Sequence, residues 1–195
     1  MRRAAVLASA VIAATAGLML PASPASAYSL LGCKFTSGNL KWQPKIANST
    51  YTTAATAAIN DWNSTSTHFN FTQVSSGANV HVADGNYGAT WMGNSFSGIT
   101  LNSTQKNPVT NSCSGGTWDT TMVTWWNRHY TDSYTSAQRE TIMVHEIGHA
   151  LGLAHTASAS SCSAPVMSVN IDSLVPSCGR MAPRQDDING ANALY

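Results

Sequence analysis

His145-Glu146-Ile147-Gly148-His149-Ala150-Leu151-Gly152-Leu153-Ala154-His155 places three histidines, a glutamate and a late glycine within eleven residues. On a helix, residues four apart share a face, so His145 and His149 present two imidazoles to one metal ion. Glu146 stands beside them, within reach of a water at that ion without being a ligand. Gly152 tolerates a positive φ, which ends the helix and turns the chain. That turn brings His155 to the same ion from another side. Three imidazoles and an open fourth position define a catalytic zinc, whereas structural zinc sites close all four positions. With 6 His and 14 Gly in 195 residues, a chance match at all five fixed positions is on the order of a few in a million.

The flanking residues support a long anchored helix. Thr135-x-x-Gln138 has the form of a capping box, and Ile142, Val144, Ile147 and Leu151 provide apolar anchoring. A helix over 136–151 is therefore expected. Ala164-Pro165-Val166-Met167-Ser168 reads as a turn carrying a methionine, Met167, twelve residues beyond His155.

The histidine pattern resembles the long zinc signature of the metzincin peptidases, and Ala164 to Ser168 resembles their Met-turn. The resemblance implies that Met167 forms an apolar floor under the metal. Thr156, directly after the third histidine, is similar to the small hydroxyl residue of the matrixin (matrix-metalloprotease-like) branch. Asp186-Asp187-Ile188-Asn189-Gly190-Ala191-Asn192-Ala193-Leu194-Tyr195 resembles the matrixin carboxy-terminal helix. By that analogy Asp186 or Asp187 braces the Met-turn, while Ile188 and Leu194 dock the helix. Val169 stands where astacin- and serralysin-like relatives keep a tyrosine ligand.

The resemblance implies an α+β, metzincin-like zincin fold. Its parts would be a twisted, mostly parallel sheet with an antiparallel edge strand, a backing helix, an active-site helix, and a small irregular C-terminal subdomain ending in a helix. It also implies a zinc endopeptidase acting on an extended peptide or protein. His145, His149 and His155 would bind one catalytic Zn2+, with Glu146 as general base. The second, structural zinc of matrixin relatives is not expected, because His81 with Asp84 is the only candidate pair and His68 and His129 stand alone. Ca2+ has weak support, since no twelve-residue loop signature is present.

Met1-Arg2-Arg3, the apolar run Ala4 to Leu20, Pro21, Pro24 and Ala25-Ser26-Ala27 read as a signal peptide over residues 1–27. The catalytic domain would then span 28–195, secreted, extracellular and free of any membrane. Losing Arg2 and Arg3 leaves 8 Lys+Arg against 9 Asp+Glu, a net charge of −1. No basic cluster is present, which excludes nucleic acid as a partner; a monomer is expected. Cys33, Cys113, Cys162 and Cys178 read as two disulfides in an oxidising compartment. Of three pairings we favour Cys162–Cys178, which closes a short loop, leaving Cys33–Cys113. No room for a long propeptide is seen after Ala27, nor a Pro-Arg-Cys-Gly switch, so latency has no visible mechanism.

Upstream, Leu40-Lys41-Trp42 opens a first strand. Ser49 or Thr50 caps a helix carrying Tyr51, Ala55, Ala58, Ile59 and Trp62. Phe69, Phe71 and Gln73 alternate as a strand, and Ala78 to Val82 form another that Asp84-Gly85 closes in a turn. The islands 89–92 and 99–101 read as short strands among loops, one of them at the sheet edge. Met122 to Trp126 is a last extended segment. Six scattered tryptophans read as core rather than as a sugar-binding platform. Two other functions compete with the peptidase: a secreted binding module with a relic metal site, and a zinc hydrolase of another amide. An intact Glu146 argues against the relic.

Overall fold

A computed structural model describes residues 28–91, 93–103 and 113–195. The expected signal segment at 1–27, position 92 of the island 89–92, and residues 104–112 lie outside them. In chain order the strands are β1 (Ser29–Leu30), β2 (Asn39–Lys45), β3 (Asn70–Gln73), β4 (Val80–Gly85), β5 (Gly98–Asn102), β6 (Cys113–Ser114), β7 (Thr117–Trp118), β8 (Met122–Asn127) and β9 (Leu153–Ala154). The helices are α1 (Thr52–Asn63), α2 (Arg128–Thr131), α3 (Ser136–Leu151), α4 (Ile171–Cys178) and α5 (Gln185–Leu194).

Five strands form one sheet in the order β3-β2-β4-β8-β5. The pairs β2–β3, β2–β4 and β4–β8 are parallel, whereas β5 runs antiparallel to β8, with Gly98 opposite Trp126 and Asn102 opposite Met122. This is the mostly parallel sheet with an antiparallel edge that the resemblance implies. Val80, Val82 and Ala83 on β4, and Met122, Val123 and Trp126 on β8, are buried on both faces, as central parallel strands require. Helix α1 turns Ala54, Ala55, Ala58, Ile59 and Trp62 inward and packs on α3 and β3. Helix α3 crosses β8 and β5.

The helix over 136–151 has the expected bounds. The Gln138 N–H donates to Thr135 Oγ1 at 3.2 Å, and the Thr135 N–H donates to Gln138 Oε1 at 2.8 Å. At the other end Gly152 has φ 108°, and a Cβ there would collide with the carbonyl oxygen of Cys33. Three tryptophans then fix the helix to the domain. The indole N–H groups of Trp62, Trp118 and Trp126 donate to the carbonyls of Val144, Ala150 and Arg139 at 2.9–3.0 Å. Each large apolar ring thus has its polar atom satisfied on α3.

Three local expectations need correction. Asn48, not Ser49 or Thr50, is the cap: its side chain accepts the Thr50 N–H and starts a 3-10 turn ahead of α1. Asp84 lies inside β4 rather than in a turn. Its Oδ1 accepts the Ala47 N–H at 2.6 Å and its Oδ2 accepts the Asn48 N–H at 3.2 Å, while Arg128 approaches to 3.4 Å. A carboxylate occupied by a distant backbone no longer bends its own, so the strand runs on to Gly85. Of the two islands, 98–102 is the edge strand, whereas Trp91 makes only an isolated bridge to Asn94.

Helix α5 is the expected carboxy-terminal helix, whereas β1, β9, α2 and α4 were not foreseen. β1 pairs with β9 beside the Gly152 turn, and β6 with β7 forms a small hairpin. Arg180 ties α1 to α3, bonding Asp61 on one and Glu140 on the other. The disulfides are Cys33–Cys113 and Cys162–Cys178, the favoured pairing. The first joins the amino-terminal strand region to the β6–β7 hairpin, and the second ties the loop after His155 to the end of α4. No helix among the described residues is long and apolar enough to cross a membrane.

Candidate active site

Helix α3 places His145 and His149 on one face, and the Gly152 turn with β9 returns His155 to them. The three Nε2 atoms lie 3.1 Å from one another. His145 Nδ1 lies 2.7 Å from the Val166 carbonyl, and His149 Nδ1 lies 2.8 Å from the Leu153 carbonyl. A carbonyl only accepts, so each Nδ1 carries the proton and each Nε2 presents a lone pair. Facing lone pairs at this distance repel unless a cation lies among them. A tetrahedral zinc about 2.0–2.1 Å from each nitrogen needs N–N separations of about 3.3–3.4 Å, close to the spacing present. The donor set therefore fits zinc, with the carbonyls of Val166 and Leu153 orienting two of the rings. Among the described residues no other group of His, Cys, Asp and Glu meets the same criterion; His68, His81 and His129 stay apart.

Burial holds all three rings below their ordinary pKa. His145 lies well below it, helped by its neighbour His149; His149 falls to about 4, with His155 adding to the burial effect; His155 is lowered also. Neutral imidazole is the form that ligates. Burial acts the other way on Glu146, raising its carboxyl to about 8; the Thr100 hydroxyl opposes this and the charge of Asp172 adds to it. Thr100 Oγ1 stands 2.8 Å from Glu146 Oε2 and 2.7 Å from the Glu146 carbonyl oxygen. The edge strand thereby fixes the side chain and the backbone of the same residue.

Met167 lies in the expected turn, 1% exposed. A Cβ on Gly148 would collide with its sulfur, so this glycine lets the turn seat directly against α3. Asp187 is the brace. Its Oδ2 accepts the Val166 N–H at 2.9 Å and its Oδ1 accepts the Met167 N–H at 3.1 Å. The same carboxylate accepts the Arg184 N–H at 2.7 Å. Asp187 is thus the one that acts, of the two aspartates the analogy allowed. Thr156 couples the third histidine to this turn: its N–H donates to the Met167 carbonyl at 2.9 Å, and its carbonyl accepts the Val169 N–H at 3.2 Å.

The three histidines and Glu146 border a cleft of about 500 Å³. Gly98, Ile99 and Thr100 of β5 form one wall; Val169, Ile171 and Asp172 form the opposite one. Sequence reasoning singled out the histidines, Glu146, Gly152 and Met167: the histidines and Glu146 line this cleft, Gly152 ends the helix behind it and Met167 packs against Gly148 of that helix. It missed Thr100 and Asp172. Thr100 falls within an island read as a strand, but no local pattern says which face meets the helix. Asp172 opens a helix formed from a segment whose fold the sequence does not disclose.

The matrixin family model matches residues 34–195, and the chain belongs to that family. Matrixins are zinc metallopeptidases, which agrees with the histidine triad and with the five-strand sheet. No curated protein matches the chain.

Proposed function

We propose that the protein is a secreted zinc endopeptidase in which His145, His149 and His155 hold the metal and Glu146 is the general base. One observation carries this reading: three imidazole Nε2 atoms converge beside a buried carboxylate, in a cleft bordered by an antiparallel edge strand. Held by these three imidazoles, a zinc ion would supply Lewis acidity toward a peptide carbonyl and an attacking water. Glu146 takes a proton from that water and returns it to the leaving amine. Thr100 holds Glu146 in position by its hydroxyl.

Among the described residues β5 is the edge strand, paired with β8. Its other edge is suited to an extended peptide added as a further strand, held by main-chain hydrogen bonds. The apolar lining at Leu31, Ile99, Val169 and Ile171 shields the reacting groups from bulk water. Export is supported by the signal-like residues 1–27, the two disulfides and the scarcity of charged residues.

Casein zymography of the purified protein tests this. Clearing that a zinc chelator abolishes and added zinc restores is the expected result. Clearing that survives complete zinc removal contradicts the reading, and bound zinc without hydrolysis favours a relic site.

A further inference from the structure

The cleft has a branch that the hydrolytic chemistry does not use. Beyond the histidines it opens into a side pocket of about 250 Å³, lined by Ser95, Phe96, Ser97, Tyr130, Tyr134 and Asp172. Ser95, Phe96 and Asp172 border both the cleft and this pocket, so Asp172 stands at the junction. Its side chain belongs to a residue accessible to solvent, yet close enough to act electrostatically on both His155 and Glu146. Among the described residues, neither the cleft nor the pocket has a lysine or arginine in its lining. The carboxylate therefore has no lysine or arginine beside it there, among the described residues. Burial raises its carboxyl above the ordinary range, and hydrogen bonds from the Ser97 N–H and hydroxyl oppose this.

The walls suit the rest of a long basic side chain. The tyrosine hydroxyls are already engaged: Tyr130 donates to the Ala89 carbonyl at 2.6 Å, and Tyr134 lies 3.3 Å from Ser97 Oγ. What they and Phe96 offer is ring surface, which packs against methylenes and attracts a cation at its face. An accessible carboxylate in a concave, partly apolar site also attracts a cation more strongly than it would on an open surface.

We propose that Asp172 makes the enzyme select substrates with a lysine or arginine beside the scissile bond, that side chain entering the pocket between Tyr130 and Tyr134 with its charge on Asp172. The selection rests on the endopeptidase reading given above. The competing role for Asp172 is purely structural, a latch from α4 to the segment before β5 through Ser97. Asp172→Asn separates the two, because asparagine removes the charge while its carbonyl oxygen still accepts from Ser97.

A peptide library cleaved by the wild-type protein should yield sites enriched in Lys or Arg at a single position flanking the cut. The ratio of kcat/KM for a lysine peptide over its norleucine counterpart should fall on the order of tenfold in Asp172→Asn. In Asp172→Lys it should invert in favour of glutamate. Binding gives a readout independent of turnover. Fluorescence anisotropy on the Glu146→Ala protein should show the lysine peptide binding more tightly than the norleucine peptide, with the advantage shrinking as salt rises. A wild-type profile without basic enrichment overturns the proposal, as does a lysine preference that persists in Asp172→Asn. Preferential binding of the lysine peptide by a protein that cuts no peptide would uphold the role of Asp172 and sink the endopeptidase reading.

Discussion

Thr100 and Asp187 each join a catalytic feature to a different part of the chain through a few hydrogen bonds. Thr100→Val removes the hydroxyl at 2.8 Å from Glu146 Oε2 while keeping the side-chain shape. We expect kcat to fall on the order of tenfold with zinc content unchanged, read by steady-state kinetics beside metal analysis. Asp187→Ala strands the N–H groups of Val166, Met167 and Arg184. The loss should be about 2–4 kcal/mol in urea unfolding, because two of these donors lie in the buried Met-turn and the acceptor is charged. At this scale the sequence was informative where a residue type had a single plausible role. The spacing of His145, Glu146, His149, Gly152 and His155 admits little besides a metal site. Thr100 is one threonine among many, and nothing local marks it as the partner of Glu146.

Helix α3 is the element that the sequence discloses best, because three signals agree on it: the Thr135–Gln138 box, the apolar anchors and the glycine stop. Its attachment to the domain was not legible. The indoles that bind its carbonyls come from α1, β7 and β8, and the direction of an indole N–H is decided by tertiary packing. Helix α4 was hidden for a different reason: Asp172, Ser173 and Pro176 are residues that local rules assign to turns. The tie between α1 and α3 gives a prediction. Burial pushes the Asp61 carboxyl up to about 6 from 3.8, with Glu140 reinforcing the shift and Arg180 opposing it. A carboxyl that binds its proton more tightly when folded contributes a stability that declines as pH rises from about 4 to about 6. Arg180→Leu removes the opposing charge and leaves two neighbouring carboxylates. It should cost about 2–4 kcal/mol, and the drop in urea midpoint relative to wild type should be larger at pH 8 than at pH 5.

For the molecule as a whole, the two disulfides tie separate parts of the chain together. Cys33–Cys113 spans 80 residues of sequence and Cys162–Cys178 spans 16. Replacing either pair with serine should cost about 2–5 kcal/mol, with the longer loop at the upper end, measured by denaturant unfolding against the oxidised parent. The overall α+β architecture was readable from the order of strand and helix patterns together with the family motifs. The β1–β9 pairing was not, since a two-residue strand has no periodicity to detect.

The proposed chemistry rests on one carboxylate, Glu146, beside three imidazoles. The most direct test is to purify Glu146→Gln beside the wild type and measure bound zinc and peptide cleavage on the same samples. One zinc per chain in both proteins, with cleavage by the variant lower by 10²–10⁴-fold, is the predicted result. A variant that keeps its zinc and cleaves within a few-fold of the wild-type rate would contradict the assignment of Glu146 as the base.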